Sequence, residues 1–407
     1  MRSILAAAAT LIVAGAASAQ DLFAIDTNFG GIRGTGNDVV SLIDDVLNRE
    51  GVFSGLTPVL TYQATLNYLG VENAVVLDLS NFGRDLTLTI PSTGAVVDFS
   101  AATPSQLEDQ VEDWLKQSGV DTWAKFLQAM NGEAPLAVLD GNPRATTALL
   151  ANSAYHRFGL YDSHSRLGYR EQEVSRFGTF GLTVEIGGGS VSTDQFDGHN
   201  SVDGRIELSG ESNEKVGMAL SIIGQYRDFR SAELYDIGLE LGVPIRLRRP
   251  TEGSNLYWGV TPVIQAGAGV SPDFAAGGLF MGGGLVNSVA YQLSLLEIGM
   301  GNQLIYYGGL PIDDIGGYDF ETHLDQLVMK NGLRVAIRPI NLIYAEAGLT
   351  FTNFLLDDAA IDWFATPNIN VGFRLGRWLE LRLGYEADLG ENEYVGHRGR
   401  LELGAYF

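Results

Sequence analysis

The second part of the chain alternates between apolar and polar residues, and this pattern constrains the fold more than any other feature. In the segment that starts at Leu379, Leu381 and Leu383 continue one face, whereas Glu380 and Arg382 lie on the other. Successive side chains of a β-strand point to opposite faces, and a tilted strand of roughly ten residues crosses a bilayer. The alternation therefore predicts strands with one face toward lipid and the other toward a polar interior.

Such segments recur from about residue 176 to the last residue. Strands of a soluble β-sandwich are usually about five to six residues long, but Tyr235–Arg248 and Leu256–Val270 stay in phase much longer. We therefore expect a mainly β fold, a transmembrane antiparallel up-and-down β-barrel of about twelve strands, with fourteen as the alternative. One possible helical turn, Phe320–Met329, interrupts the pattern. The segments begin near residues 177, 202, 214, 233, 255, 276, 293, 332, 342, 365, 378 and 395.

The chain ends on an apolar strand with a terminal aromatic, Arg400-Leu-Glu-Leu-Gly-Ala-Tyr-Phe407. This stretch resembles the C-terminal signature of bacterial outer-membrane proteins. The resemblance implies that the barrel-assembly machinery is a partner and recognises the last strand first. Leu401, Leu403, Tyr406 and Phe407 would carry that assembly signal.

The first nineteen residues have the features of a secretory signal peptide. A basic start, Met1-Arg2-Ser3, precedes the uncharged stretch Ile4–Ala16 and the small residues Ala17-Ser18-Ala19. Such a segment is cleaved after its small residues, here near Ala19. Together with the predicted barrel, it predicts export to the bacterial outer membrane, where lipid and lipopolysaccharide would surround the protein.

Residues 20–155 differ from the rest in composition and in pattern. They hold 17 Asp and Glu against 6 Lys and Arg. Helical spacing of apolar residues predicts helices after Asn37, Thr103 and Asp121, and alternation predicts short strands at Asn73–Ser80, Asp85–Ile90 and Ala95–Phe99. The expected organisation is a signal peptide at 1–19, a small α+β plug or periplasmic unit at 20–155 and the barrel at 156–407.

An Asn-Pro step, Asn142-Pro143, precedes a run of small and apolar residues just before the predicted barrel. It loosely resembles the hatch segment of the long-chain fatty acid transporter family, which implies a role in closing the barrel. A small-residue helix before twelve strands is also similar to the linker helix of an autotransporter translocator. The preceding unit is short and helical for an autotransporter passenger, so this second interpretation ranks lower.

Charged residues fall on the polar phase of the predicted strands and would line the lumen. Antiparallel pairing of the last three strands would make Arg374, Glu380/Arg382 and Arg400/Glu402 cross-strand neighbours. The charges could stabilise a narrow barrel through ion pairs, or form a basic conduit for anionic solutes. The acidic N-terminal unit would then complement that basic wall. The candidates are Arg334, Arg338, Arg374, Glu380, Arg382, Glu386, Arg398, Arg400 and Glu402.

Other chemistry is weakly indicated. A net charge of −23 does not favour binding of nucleic acid, which is itself negatively charged. The five histidines lack the spacing of metal ligands, and no cofactor is predicted. An outer-membrane lipid hydrolase is the least favoured interpretation, so we expect no enzyme. The expected function is passive or gated passage of small polar, anionic or amphipathic solutes. The alternative is a structural anchor whose N-terminal unit binds a partner.

Overall fold

The computed structural model describes a defined set of residues, which excludes the predicted signal peptide. These residues are 23–28, 31–36, 39–56, 61–160, 179–193, 199–211, 215–229, 232–248, 255–271, 276–315, 318–320, 322–340, 343–375 and 378–407. They form an N-terminal α+β domain, a buried connecting segment and a closed β-barrel.

The N-terminal domain, residues 23–133, is built on an antiparallel sheet of six strands. The strands are β1 (Phe23–Thr27), β2 (Arg33–Gly36), β3 (Thr61–Tyr68), β4 (Val71–Ser80), β5 (Asp85–Ile90) and β6 (Ala95–Ser100). Their order in the sheet is β2-β1-β3-β4-β5-β6. Three helices accompany the sheet, with a short 3-10 turn at Gly51–Gly55 and a π-helical turn at Trp114–Ser118. The helices are α1 (Val39–Asn48), α2 (Pro104–Asp113) and α3 (Val120–Glu133).

Local sequence signals account for much of this domain. The three predicted strands correspond to β4, β5 and β6, and the Thr103 hydroxyl caps α2 by accepting a bond from the Gln106 N–H. The sequence predicts that the third helix starts after Asp121, capped by its side chain, whereas α3 begins at Val120 and Gly119 holds the cap position without a side-chain bond. Strands β1, β2 and β3 were not predicted.

The apolar stripes of the domain belong to a buried cluster that continues through the buried connecting segment to barrel residues such as Phe280. Leu42 and Val46 of α1 belong to the same buried cluster as Phe126 of α3. The ring of Tyr68 packs edge-on against Phe126, with their centroids 5.1 Å apart. Helix α3 thus packs against the sheet of its own domain.

The barrel contains twelve antiparallel strands. They are β7 (Thr179–Ser192), β8 (Asn200–Glu211), β9 (Gly217–Asp228), β10 (Glu233–Gly242) with β11 (Ile245–Arg248), β12 (Leu256–Ser271), β13 (Ala276–Leu293), β14 (Leu296–Leu310), β17 (Asp325–Ile340), β18 (Ile343–Phe354), β19 (Trp363–Leu375), β20 (Leu379–Gly390) and β21 (Val395–Tyr406). The short β11 continues β10 past Val243-Pro244. The first strand, β7, pairs with the last, β21, and β10 pairs with β12, so the sheet closes on itself.

The predicted number of strands is confirmed, and most predicted starts lie within a few residues of the observed ones. The helical turn predicted at Phe320–Met329 is wrong. A small hairpin of β15 (Ile312–Ile315) and β16 (Tyr318–Phe320) precedes β17, which starts at Asp325. Leu324, Leu327 and Val328 have helical spacing, but barrel pairing overrides this local pattern.

Between the domain and the barrel lies a buried segment, Ala134–Gly159, which we call the plug. Every residue in it is buried except Asn152 and His156, which are half-buried. It contains helix α4 (Thr146–Ala154), which passes into a π-helical turn, Tyr155–Leu160. In the part of the chain that the structure describes, no helix has the length and apolar character needed to cross a membrane.

Candidate functional site: the filled lumen

The two faces of the barrel differ sharply in polarity. On β20, the outward Leu383 is 47 % exposed and Tyr385 is 46 % exposed, whereas the inward Arg382 and Glu386 are buried. The same distribution recurs along the other strands, with apolar side chains outside and charged ones inside. A soluble barrel would bury the apolar face and hydrate the charged one, whereas a bilayer favours the reverse. The fold is that of an outer-membrane β-barrel.

Comparison with known proteins gives structural likeness only. No family model and no curated protein sequence matches the chain. The translocator domain of the autotransporter NalP from Neisseria meningitidis matches 64 % of this chain and 98 % of its own, at 14 % identity and a TM-score of 0.42. An outer-membrane channel from Pseudomonas putida matches 59 % of this chain and 98 % of its own, at 13 % identity and a TM-score of 0.42.

A third similar structure is a FadL homologue from Pseudomonas aeruginosa. It matches 56 % of this chain and 90 % of its own, at 8 % identity and a TM-score of 0.32. All of these matches are weak. The functional interpretation of this chain therefore comes from the contrast between the two faces of its barrel and from the contacts inside it.

The plug runs the length of the lumen. At one end Gly141 lies beside Asn131 of the N-terminal domain, and at the other Phe158 lies against Gly242, the last residue of β10. Between them, Tyr155 donates a hydrogen bond to the Gly301 carbonyl at 3.0 Å. The chain therefore enters one mouth of the barrel and leaves near the other, where β7 begins.

Side chains of the wall bind the backbone of the plug. Arg227 donates to the Val138 carbonyl at 2.8 Å, and Gln265 donates to the Leu150 carbonyl at 2.8 Å. Gln303 donates to the Ala151 carbonyl at 3.0 Å. The Ala151 carbonyl also accepts the Tyr155 N–H, and the Val138 carbonyl also accepts the Thr146 N–H at 3.4 Å. The wall donors therefore add further bonds to these carbonyls and hold the plug to the wall at three points.

The arginines and the histidine of the plug lie beside carboxylates of the wall, whereas its carboxylate, Asp140, accepts a hydrogen bond from the Gln326 side chain at 2.8 Å. Arg144 lies 3.3 Å from Asp388, and Arg157 lies 2.6 Å from Glu207. The ring of His156 lies 3.2 Å from Glu386. The expected complementarity, in which an acidic unit meets a basic wall, is wrong in sign because the segment that enters the lumen brings arginines and meets carboxylates.

The wall has glycines wherever the plug approaches it most closely. A Cβ at Gly267 would lie 2.7 Å from Leu150, and one at Gly278 would lie 2.6 Å from Leu139. Real Cβ atoms essentially never come so close to their neighbours. The wall therefore fits the plug because it has no side chains at these positions. These glycines, which we call the glycine seat, are Gly238, Gly242, Gly267, Gly269, Gly278, Gly301 and Gly332.

Four candidate lumen arginines, Arg334, Arg382, Arg398 and Arg400, are buried inside the barrel and lie near carboxylates. Arg398 lies 3.1 Å from both Glu185 and Glu386. Arg382 lies 3.7 Å from Glu402. These contacts neutralise the positive charge within the wall, so these arginines do not form a free basic surface.

The remaining candidates follow the same arrangement. Arg334 is paired with Glu297 and lies 3.3 Å from Glu346. Arg400 lies 3.8 Å from Glu386 and donates to the Asn370 side chain at 3.0 Å.

The register of the strands places Arg374 and gives the cross-strand partner of Arg382. Arg374 pairs with Glu380 across β19 and β20, and Arg382 pairs with Glu402 across β20 and β21. The cross-strand neighbours proposed from the sequence are thus the observed ones. Arg338 lies in β17, and its side chain is outside the described residues.

The hatch candidates lie in the plug, at its entry to the lumen. The Asn142 amide donates to the Ala137 carbonyl at 2.7 Å and accepts from the Arg144 N–H at 3.0 Å, which forms a tight turn. Pro143 is buried within it. Gly141 has a φ of +83°, a conformation that favours glycine. The turn reverses the chain from the domain into the barrel.

The C-terminal candidates lie at the seam of the barrel. Leu401 and Leu403 are outward and exposed on β21. The Phe407 N–H donates to the Phe180 carbonyl at 2.8 Å, and the Phe180 N–H donates to the Phe407 carbonyl at 3.1 Å. The last residue therefore closes the sheet. Tyr406 belongs to β21, and its side chain is outside the described residues.

The N-terminal domain docks on one mouth of the barrel. The 355–362 connection reaches it through the Ala360 N–H, which donates to the Asn131 carbonyl at 2.8 Å. Asp121 lies 2.9 Å from the ring of His323. Hydrogen bonds from Lys125 and then from His323 lower the pKa of Asp121. These contacts all involve the mouth opposite the terminal residue.

Strand connections differ in length at the two mouths. At the mouth of Phe407 the connections have two to seven residues, with 294–295 and 341–342 the shortest, whereas at the domain mouth they have four to fourteen, with 311–324 and 355–362 the longest. Outer-membrane barrels have short turns on the periplasmic side and longer loops on the extracellular side. The connections at the domain mouth are thus longer on average than those at the mouth of Phe407.

Proposed function

We propose that the barrel is a membrane anchor that holds the N-terminal domain at the outer surface of the outer membrane. The observation that carries this proposal is the path of the chain. From the domain, the plug passes down the lumen past Leu150 and Tyr155 to the mouth where β7 begins. The function of the protein would then be the binding of a partner by the N-terminal domain at the cell surface.

Three features support a permanent plug. Its backbone carbonyls accept bonds from wall side chains such as Gln265, its arginines are paired with wall carboxylates, and its side chains occupy the glycine seat. Removing the plug would leave Asp388 and Glu207 without those partners inside the barrel. Buried charges that lose their partner destabilise a protein strongly, by about 3–5 kcal/mol each.

Sidedness can be tested by labelling single cysteines in intact cells, because the natural chain has none. Val96→Cys places a thiol on the domain, where Val96 is 61 % exposed, and Leu295→Cys places one in the short connection at the opposite mouth. We expect a membrane-impermeant maleimide to label Val96→Cys in intact cells and Leu295→Cys only after lysis. The reverse result would place the domain in the periplasm and overturn the proposal.

Gated passage of small polar solutes is the second candidate, and the composition of the wall favours it. Inward residues such as Arg382, Glu386 and Arg398 would keep a vacated lumen hydrated. Because these charges are internally paired, a preference for anions has little support. In planar bilayers, a chain lacking residues 20–133 should conduct as poorly as the intact protein, and one lacking 20–159 should conduct well. Steady conductance by the intact protein would favour the channel.

A further inference from the structure

Three asparagines form a hydrogen-bonded row across neighbouring strands of the barrel. Asn287 of β13 pairs with Asn302 of β14, which pairs with Asn331 of β17. The Asn287 amide donates to the Asn302 oxygen at 3.3 Å, and the Asn302 amide donates to the Asn331 oxygen at 2.7 Å. At the start of the row, the Trp258 indole N–H donates to the Asn287 oxygen at 2.8 Å.

This row lies on the outer face, among apolar side chains. On β14 the outward neighbours of Asn302 are Met300 and Leu304, which are exposed. On β17 the outward neighbour Leu333 is 61 % exposed. A β-barrel presents this face to lipid, so the row interrupts an apolar surface.

The depth of the row makes it costly in lipid. Asn302 is the seventh residue of β14, which starts at the short-turn mouth. Six residues of a tilted strand rise roughly 14 Å, about half of an apolar band of about 25 Å. On the opposite side of the barrel, β7 carries Val184 and Ile186 about as far from the same mouth. Amides are therefore placed where the membrane is most apolar.

The row also ends on an unused donor. Each amide oxygen in it accepts one bond, and each of the first two amide nitrogens gives one. Among the described residues, the Asn331 amide nitrogen has no acceptor. A polar group left unpaired in hydrocarbon is strongly disfavoured. A surface that supplies both donors and acceptors at this depth would remove that cost.

We propose that a second copy of this chain covers the row, so that two barrels pair side by side in the membrane. Two copies inserted in the same direction are related by a two-fold axis along the membrane normal, which preserves depth. The row of one copy then meets the same row of the other, running in reverse. Side-chain amides carry both donors and acceptors, so the row is self-complementary. Met300, Leu304 and Leu333 pack around it.

Cysteine cross-linking in native membranes tests the pairing, since the chain has no cysteine of its own. Leu304→Cys places a thiol next to the centre of the row, and Ile186→Cys places a matched one on the opposite side of the barrel. We expect copper-catalysed oxidation to give disulfide-linked dimers with Leu304→Cys and none with Ile186→Cys. Equal cross-linking at both positions, or monomers at both, would overturn the proposal.

Replacing the amides tests whether the row itself drives pairing. In the Leu304→Cys background, Asn302→Leu and Asn331→Leu together should weaken dimerisation roughly tenfold, because each amide hydrogen bond between membrane-embedded segments contributes modestly. Leucine on the lipid face leaves the barrel intact, which heat-modifiability on a gel verifies. Undiminished dimers in this variant would contradict the proposal, as would a folded wild-type monomer that retains a different protein or a bound lipid at the row.

Discussion

The Leu150 side chain of the plug occupies the space in which Gly238 of the wall would carry a Cβ atom. Leu150 also fills the space beside Gly267 on the neighbouring strand β12. A leucine seated between two glycines on paired strands fixes both the depth and the rotation of α4. Packing inside this barrel is therefore as specific as in a protein core.

Gly238→Ala should destabilise the protein by roughly 1–3 kcal/mol, because its methyl group would overlap Leu150 and force the plug or the wall to move. Gly399→Ala is the matched control, since a Cβ there would have nothing within 4 Å. Denaturant unfolding in detergent, followed by loss of the compact gel band, measures both. Equal midpoints for the two variants would show that the seat is not tightly packed.

Arg144→Met should cost about 3–5 kcal/mol, because it leaves the Asp388 carboxylate buried without the arginine that lies 3.3 Å away. Adding Asp388→Leu should recover much of that loss, since no unpaired charge then remains. Unfolding of the two single variants and the double variant gives the coupling energy. Strictly additive losses would mean that the pair is not an energetic unit.

Phe407→Asp should block assembly into the membrane. The backbone of Phe407 exchanges two hydrogen bonds with Phe180 at the seam, and an open edge in lipid leaves such groups unpaired. Phe407→Trp, which keeps an aromatic ring, should assemble. The measurement is the heat-modifiable band in the outer-membrane fraction. A normal band for the aspartate variant would contradict the role assigned to the last residue.

Leu383→Arg should destabilise the barrel by about 2–4 kcal/mol if the position lies near the bilayer midplane, because it places a cation against lipid. Leu383→Met is the conservative control. The neighbouring Gly384→Arg should also fail, for a different reason: a Cβ there would lie 2.5 Å from the Asn370 side chain and 2.7 Å from Arg400. Refolding yields in lipid vesicles compare the three variants, and a tolerated Leu383→Arg would remove the lipid-facing assignment.

Acid should loosen the contact between the domain and the barrel mouth. The pKa of Asp121 is lowered in the folded protein by hydrogen bonds from Lys125 and His323. Its stabilising contribution is therefore present above its ordinary pKa of about 4 and is lost as the pH falls through the lower, folded value. Protease cleavage between domain and plug should rise below about pH 4. Asp121→Asn should remove this rise in cleavage at low pH. If the rise is unchanged in the variant, protonation of other carboxyl groups causes it.

Strand positions were predictable because the barrel enforces a period of two over long segments. The alternation of apolar and polar residues over 379–388 predicted correctly which side chains face outward and which face inward. Antiparallel pairing of neighbouring strands predicted correctly that Arg374 lies opposite Glu380. The contents of the lumen were not predictable, because they depend on contacts between residues far apart in sequence. Arg144 and Asp388 are an example, separated by nearly the whole barrel.

One sequence signal for the plug was present. Gly238, Gly267 and Gly269 fall on the inward phase, where the other residues are polar or charged. Glycine inside a strand often marks a close approach of another chain segment. Strands β1 and β2 of the N-terminal domain gave no comparable signal, since they have only five and four residues. Strand β3 (Thr61–Tyr68) does alternate between polar and apolar residues, and this signal was missed.

The plug also constrains the order of folding. The chain passes through a ring made from its own later residues, and that ring becomes closed only when β7 pairs with β21. A lumen that one short helix fills is too narrow for a folded domain of six strands and three helices. Either the seam forms last, around a plug already in place, or the domain crosses as an unfolded chain and folds afterwards. Premature folding of the domain, once the seam has closed, would therefore trap the protein on the wrong side of its own barrel.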